Sequence, residues 1–255
     1  MHNPAEYASE FVETAALMFS LVPFEALLLG STSLVALHLP LLFRLFATGT
    51  GFGIISWLIS LTPFGRLSGA HMNPAVSVGF CLIGKMRAVD ATGYVIAQFL
   101  GSLFGVVASV LLAPEVAFGI KDGSVHVAPA VSQTIAFALE ALGTAALAIG
   151  IFVFASVEAL QRWTFAWVSL CLGMAVVLIG PLTGSSLNPA RWFGPAFVVK
   201  EPLLWSIYFV APILGAAIAA GTFVWSRDLH KLRVQTGKLT HDDRYRSLFI
   251  NTSSE

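Results

Sequence analysis

One stretch occurs twice in this chain, first as Leu67-Ser68-Gly69-Ala70-His71-Met72-Asn73-Pro74-Ala75 and again as Leu182-Thr183-Gly184-Ser185-Ser186-Leu187-Asn188-Pro189-Ala190-Arg191. Each copy puts a glycine and hydroxyl-bearing side chains ahead of Asn-Pro-Ala, and only a short apolar run follows. Asn is a strong helix N-cap, and Pro is tolerated at the first helical position, whose N–H has no intrahelical acceptor. Each copy therefore reads as a loop ending in a helix start. In a very apolar chain, two such starts in corresponding places of two similar halves point to two half-helices meeting at a membrane midplane. The tripeptide alone is a weak signal. A third copy, Asn3-Pro4-Ala5, is followed by Glu6 at the N3 position, where a plain capping box suffices.

Composition supports the membrane reading, with 56% hydrophobic and only 11% charged residues, against about 25% charged in soluble domains. Apolar stretches long enough to cross a bilayer can be placed six times, near 8–31, 44–62, 89–113, 132–156, 163–181 and 203–226. Formal net charge is zero. With both termini in the cytoplasm, ten of the fourteen basic residues fall inside: Arg66, Lys85, Arg87, Arg162, Arg227, Lys231, Arg233, Lys238, Arg244 and Arg246. Arg44, Lys121, Arg191 and Lys200 fall outside. The positive-inside rule thus favours that topology and accounts for the basic tail without nucleic acid. The N-terminus lacks the pattern of a cleaved signal peptide. Cys81 and Cys171 lie in apolar segments and are expected to be buried; no metal site, cofactor site, nucleophile elbow or phosphate loop is legible.

The halves repeat. Glu10-x-x-x-Thr14-Ala15-Ala16-Leu17 matches Glu140-x-x-x-Thr144-Ala145-Ala146-Leu147, and Tyr94 to Gly101 matches Tyr208 to Gly215. Glu10 precedes Asn73 by 63 residues whereas Glu140 precedes Asn188 by 48, so the first half carries 15 extra residues, placed near 30–43. Three spans per half, an odd number, make the repeat inverted. Gly101 with Gly105, and Gly215 with Ala219, are small-residue pairs that let helices approach closely. The connection of roughly 114–131, with Pro114, Glu115, Lys121, Asp122, Gly123 and His126, should face outside, and the tail 228–255 reads as a solvated cytoplasmic extension, with a gating tail as the alternative. Asn251-Thr252-Ser253 is a glycosylation acceptor made silent by that location.

These landmarks, in this order and spacing, resemble the aquaporin and aquaglyceroporin family, the major intrinsic proteins, from about residue 6 to about 227. The resemblance implies an all-α membrane protein of six transmembrane helices and two re-entrant half-helices in an inverted repeat. It implies one channel domain over 1–227, with repeats near 6–114 and 132–227, and a homotetramer in the plasma or inner membrane. It implies that Glu10 and Glu140 brace the loops by accepting from their backbone N–H groups, since an intramembrane carboxylate needs partners. Glu13 has no counterpart, Gly143 standing in its place. The pore motifs would be Asn73, Pro74, Ala75 and Asn188, Pro189, Ala190. The selectivity filter would comprise Val176, Ser185, Arg191 and either Phe52 or Gly53. His71, where the family commonly has histidine, is expected to brace its loop rather than to gate by pH.

In such a pore Asn73 and Asn188 offer amide donors at two positive helix ends. The carbonyls of Gly69, Ala70, His71, Met72, Gly184, Ser185, Ser186 and Leu187 form a polar ladder, and Arg191 adds a barrier to cations. Water in single file is the expected cargo. Trp192 and Ala196, where the glycerol branch carries Asp and a basic residue, and the Tyr208-Phe209 pair favour water; Val176, less polar than the histidine of strict water channels, favours a wider solute range. The rivals are a channel for glycerol, urea, ammonia or boric acid, and an ion-coupled transporter using Glu10 and Glu140.

Overall fold

The computed structural model describes residues 3–31, 33–114, 117, 123–230, 233–234 and 237–239. Glu115, Lys121, Asp122, Lys231, Arg244, Arg246 and the Asn251-Thr252-Ser253 acceptor lie outside the described residues. The described residues are helical throughout the body, with no strand among them. In order they form α1 (Pro4–Leu29), α2 (Leu34–His38), α3 (Leu41–Ser60), α4 (Pro63–Ser68), α5 (Pro74–Leu82) and α6 (Ala88–Leu112). The second half runs α7 (Gln133–Ser156), α8 (Glu158–Gln161), α9 (Thr164–Leu178), α10 (Gly180–Thr183) and α11 (Pro189–Val198), then a π turn (Ser206–Val210) leading into α12 (Ala211–His230). The 15 extra residues of the first half, expected near 30–43, are spread along it: the connection holding α2 is only four residues longer than its counterpart holding α8, and the rest lengthen α1 beyond Glu10, α3, and the stretch from α3 to Asn73.

The long apolar helices are α1, α3, α6, α7 and the Ser206–Ser226 part of the last span, each long enough to cross a membrane. The fifth span is shorter than expected. With 15 residues, α9 rises only about 22 Å, short of a hydrocarbon core of about 30 Å. Its continuation is broken at Ile179 and resumes as α10, where Pro181 follows Gly180. α1 likewise starts at Pro4, earlier than the periodicity indicates, but not through the expected capping box: Asn3 makes no side-chain cap bond. Glu6 is buried instead, accepting from the Tyr94 hydroxyl at 3.2 Å.

Packing follows the internal symmetry. α1 lies along α6 as α7 lies along α12, and α3 and α9 meet between the halves. Small residues make these approaches possible. A Cβ on Gly101 or Gly105 would sit 2.4 and 2.2 Å from the carbonyl oxygens of Phe11 and Ala15, and one on Gly215 would sit 2.2 Å from that of Ala141. The half-helices are exchanged: α5 packs on α12 and α11 packs on α6, so each short helix is held by the long helix of the other half. The exposed faces carry Leu, Ile, Phe and Trp around the outside, as helices long and apolar enough to cross a membrane would.

Candidate pore

The two loops leading into α5 and α11 are built alike. Gly69 and Gly184 both take left-handed backbone, at φ 95° and 78°, and Ala70, Met72, Ser185 and Leu187 take positive φ without being glycine. Each such residue costs on the order of 1–3 kcal/mol, so something must hold the loops. The buried carboxylates do. Glu10 accepts from the backbone N–H groups of His71 (2.9 Å) and Met72 (2.8 Å) and from the Gln98 amide (2.7 Å). Glu140 accepts from those of Ser186 (3.0 Å) and Leu187 (2.8 Å) and from the Thr183 hydroxyl (2.6 Å). Tyr94 and Tyr208 donate to the carbonyls of Ser68 and Thr183 at 2.7 and 2.8 Å. Glu13 has a partner that its sequence neighbours do not reveal: the Ser68 hydroxyl donates to it at 2.8 Å, the first half using a second carboxylate where Glu140 serves alone.

Asn73 and Asn188 stand at the meeting point. Each caps its own helix, the Oδ1 of Asn73 accepting from Ala75 N–H at 2.9 Å and that of Asn188 from Ala190 N–H at 3.0 Å. Each then crosses to the other half: the Asn73 amide donates to the Leu187 carbonyl at 3.0 Å and the Asn188 amide to that of Met72 at 2.9 Å. One N–H of each amide is thus spent on fixing the side chain and a second is left to offer a passing oxygen. A small cavity of about 40 Å³ lies here, bounded by both asparagines, Met72, Leu187 and Phe52, with room for about one water molecule.

Beyond it lies a larger cavity of about 360 Å³ lined by Phe52, Val176, Ser185, Arg191 and Glu25. Between the two alternatives at the second span, Phe52 lines this cavity, whereas a Cβ on Gly53 would meet Ser169 of α9 at 2.4 Å, so Gly53 lies at the helix contact. Arg191 donates to the Gly123 carbonyl at 2.7 Å and to the Glu25 carboxylate at 2.5 Å. Glu25 was not singled out in the sequence, although a carboxylate in an apolar span demands a partner as Glu10 does. The Ser185 hydroxyl is buried and has no hydrogen-bond partner among the described residues.

Trp192, Ala196 and Tyr208 line neither cavity. They form a cluster behind α11, with Trp192 stacked on Tyr208 at 5.7 Å and edge-on to Trp205 at 5.1 Å. Cys81 and Cys171, expected to be buried, are only partly so; they pack on the rim of the core.

The other mouth departs most from the sequence reading. The tail is not wholly solvated: Gly237, Lys238 and Leu239 are buried against the pore loop. Leu239 N–H donates to the Gly69 carbonyl at 2.9 Å and the Lys238 ammonium to that of Arg66 at 3.2 Å. The His71 ring lies 2.7 Å from the Gly237 carbonyl through Nε2, and 3.0 Å from the Ser77 hydroxyl through Nδ1. A carbonyl only accepts, so Nε2 carries a proton and His71 ties its loop to the tail. Leu239 itself helps to wall the small cavity. One carbonyl of the expected ladder, that of Gly69, is therefore bonded to the tail, and those of Met72 and Leu187 to the asparagines.

The profile of the Major intrinsic protein family matches residues 2–223. Among curated proteins, Aquaporin NIP3-1 of Arabidopsis thaliana is 34% identical over 73% of this chain and 60% of its own length. Aquaporin AqpM of Methanothermobacter thermautotrophicus is 36% identical over 69% of this chain and 75% of its own. Nodulin-26 of Glycine max is 34% identical over 68% and 63%. Among solved structures, the aquaglyceroporin from Plasmodium falciparum superposes with a TM-score of 0.66 at 24% identity, covering 88% of this chain and 95% of that one.

Proposed function

Because the chain belongs to the major intrinsic protein family, a family of channels rather than enzymes, we propose that it is a passive channel carrying water in single file past Asn73 and Asn188 while excluding protons and ions. The observation that carries this reading is the reciprocal pair of amide bonds, Asn73 to Leu187 and Asn188 to Met72, which aims two fixed donors at one water-sized space. A water that accepts from both cannot stay in register with its neighbours for proton transfer, and the two helix N-termini disfavour cations there. In this reading Phe52, Val176, Ser185 and Arg191 form the selectivity filter, the loop carbonyls form the ladder, and Glu10 and Glu140 keep the loops in shape. The channel occupies residues 1–227 as two repeats, sits in the cell membrane as a homotetramer and has both termini in the cytoplasm, so the tail reaches the inner mouth.

A second reading, that other small neutral solutes also pass, draws on the larger cavity. Val176 and Phe52 give it apolar walls, and the features that favoured water, Trp192, Ala196 and Tyr208, pack behind α11 rather than facing the path. The seated tail supports a third element of the proposal: Gly237 to Leu239 form a cover on the inner mouth, and release of Leu239 opens it.

Stopped-flow shrinkage of proteoliposomes containing the wild type and Leu239→Ala, with and without an ion gradient, tests this. The expected result is water permeability above that of protein-free vesicles, driven by osmolarity alone. Permeability that requires an ion gradient would instead make Glu10 and Glu140 coupling groups of a transporter.

A further inference from the structure

The carboxylate opposite Arg191 has no place in the proposal so far. Glu25 lies near the end of α1, where Pro23 contributes no N–H to the helix ladder, and its side chain is buried in the wall of the 360 Å³ cavity. Its Oε1 is 2.5 Å from Arg191 Nη2, while Arg191 Nη1 is held by the Gly123 carbonyl, so the guanidinium is fixed from two sides. A lone arginine at a constriction offers only donors and a full positive charge. An ion-paired one offers neither alone, because the field of a close pair falls off much faster than that of a single charge.

The geometry points to Glu25 as a specificity-determining residue of the cavity that Arg191 lines: it cancels the arginine's charge and presents an acceptor edge that admits neutral solutes bearing N–H donors as well as a carbonyl, of the amide class. The wall of this one cavity then carries three complementary groups. Arg191 donates, Glu25 accepts, and the Ser185 hydroxyl, buried without a partner, can do either. Phe52 and Val176 supply the apolar walls against which a flat solute slides. Water needs none of this pairing, since it can satisfy either group alone. A planar amide loses its hydration shell on entry and is admitted only where its donors meet an acceptor.

This inference rests on the channel reading above, and urea is the probe. Urea and water permeabilities are measured on the same proteoliposomes, so that their ratio is independent of how much protein has folded or how often the tail is seated. Glu25→Gln keeps the size, leaves the charge of Arg191 uncancelled and replaces one acceptor oxygen by an NH2 donor; the urea-to-water ratio is expected to fall about fivefold or more. Glu25→Asp keeps the charge but withdraws it by one methylene, and a fall in the ratio is expected there too, which preserves the test where Glu25→Gln fails to insert. A ratio in either variant that stays within about twofold of the wild type, or rises, overturns the assignment of Glu25. Water rates at the protein-free level in both wild type and Leu239→Ala would overturn the channel reading itself, an outcome in which no ratio can be formed.

Discussion

In the proposed channel, Leu239→Ala is the sharpest perturbation of the mouth that the tail covers. The seat of the tail is built from one buried leucine, the Leu239 N–H bond to Gly69, the His71 contact with the Gly237 carbonyl and the Lys238 bond to Arg66. Burying the leucine side chain contributes about 2 kcal/mol, and two neutral hydrogen bonds about 1 kcal/mol each. Against these stand the desolvation of a fully buried ammonium and the ordering of tail backbone at about 1–2 kcal/mol per residue. The opposing terms are of similar size, so the seated and released states lie within a few kcal/mol of each other. Removing about 2 kcal/mol from the seated state shifts the seated-to-released ratio by about thirtyfold.

Leu239→Ala is accordingly expected to raise water permeability per channel, by as much as that factor if the tail is seated nearly all the time. Leu239→Met conserves volume and is expected to leave the rate within about twofold of wild type. The assay is stopped-flow light scattering, with the protein in each vesicle preparation quantified. Equal rates for wild type and Leu239→Ala would refute the argument, since a cover that loses its buried anchor without changing flux covers nothing.

Three further predictions concern other parts of the path. Asn73→Asp and Asn188→Asp each replace a donating amide by a group that faces the Leu187 or Met72 carbonyl with a second acceptor, and are expected to cut water flux about tenfold or to prevent folding; wild-type flux in both would remove the asparagines from the mechanism. Glu140→Ala strands two backbone N–H groups and the Thr183 hydroxyl, at about 1–3 kcal/mol each, whereas Glu13→Ala strands one hydroxyl, so thermal unfolding in detergent should show a much larger loss for Glu140; equal losses would mean the loops are held by something else. Wild-type flux should resist mercurials, because Ser185 places a hydroxyl rather than a thiol on the path, and Ser185→Cys should confer block; wild-type block abolished by Cys81→Ser would put Cys81 on the path instead.

Most of the fold was legible because its constraints are local or strictly periodic. Apolar runs of bilayer length, an odd number of spans per half, and Asn-Pro at two helix starts each follow from the nearby sequence, and they fix six spans, two half-helices and their inverted relation. The structure departs from local pattern where a side chain is drawn away by a distant one or a helix breaks early. Glu6 stands at N3 of α1 and could have closed a capping box, but Tyr94, 88 positions on, takes it into the interior. The fifth span loses length because Gly180-Pro181 starts a separate turn before the second loop.

The site divides along the same line. Asn73, Asn188, Glu10 and Glu140 could be named because the duplicated pattern marks them twice; a residue that occurs in only one half leaves no such signature. Glu25, Glu13 and Leu239 are all of that kind. Yet two of the three had a physical signal of another sort. A carboxylate buried in an apolar helix must be met by a donor, and α1 carries four, at positions 6, 10, 13 and 25. Glu10 answers to a backbone loop; Glu25, some fifteen residues further along α1, lies about 22 Å away by helical rise, in the wall of the larger cavity. Arg191 lines the same cavity, so depth alone could have paired Glu25 with it. Leu239 offered no comparable signal: a single leucine in a charged tail has nothing to distinguish it until the loop that receives it is folded. Where symmetry is broken, function specific to this chain is to be sought: in the proposed channel the duplicated residues hold the two loops, and the unpaired Glu25 and Leu239 act on what passes and when.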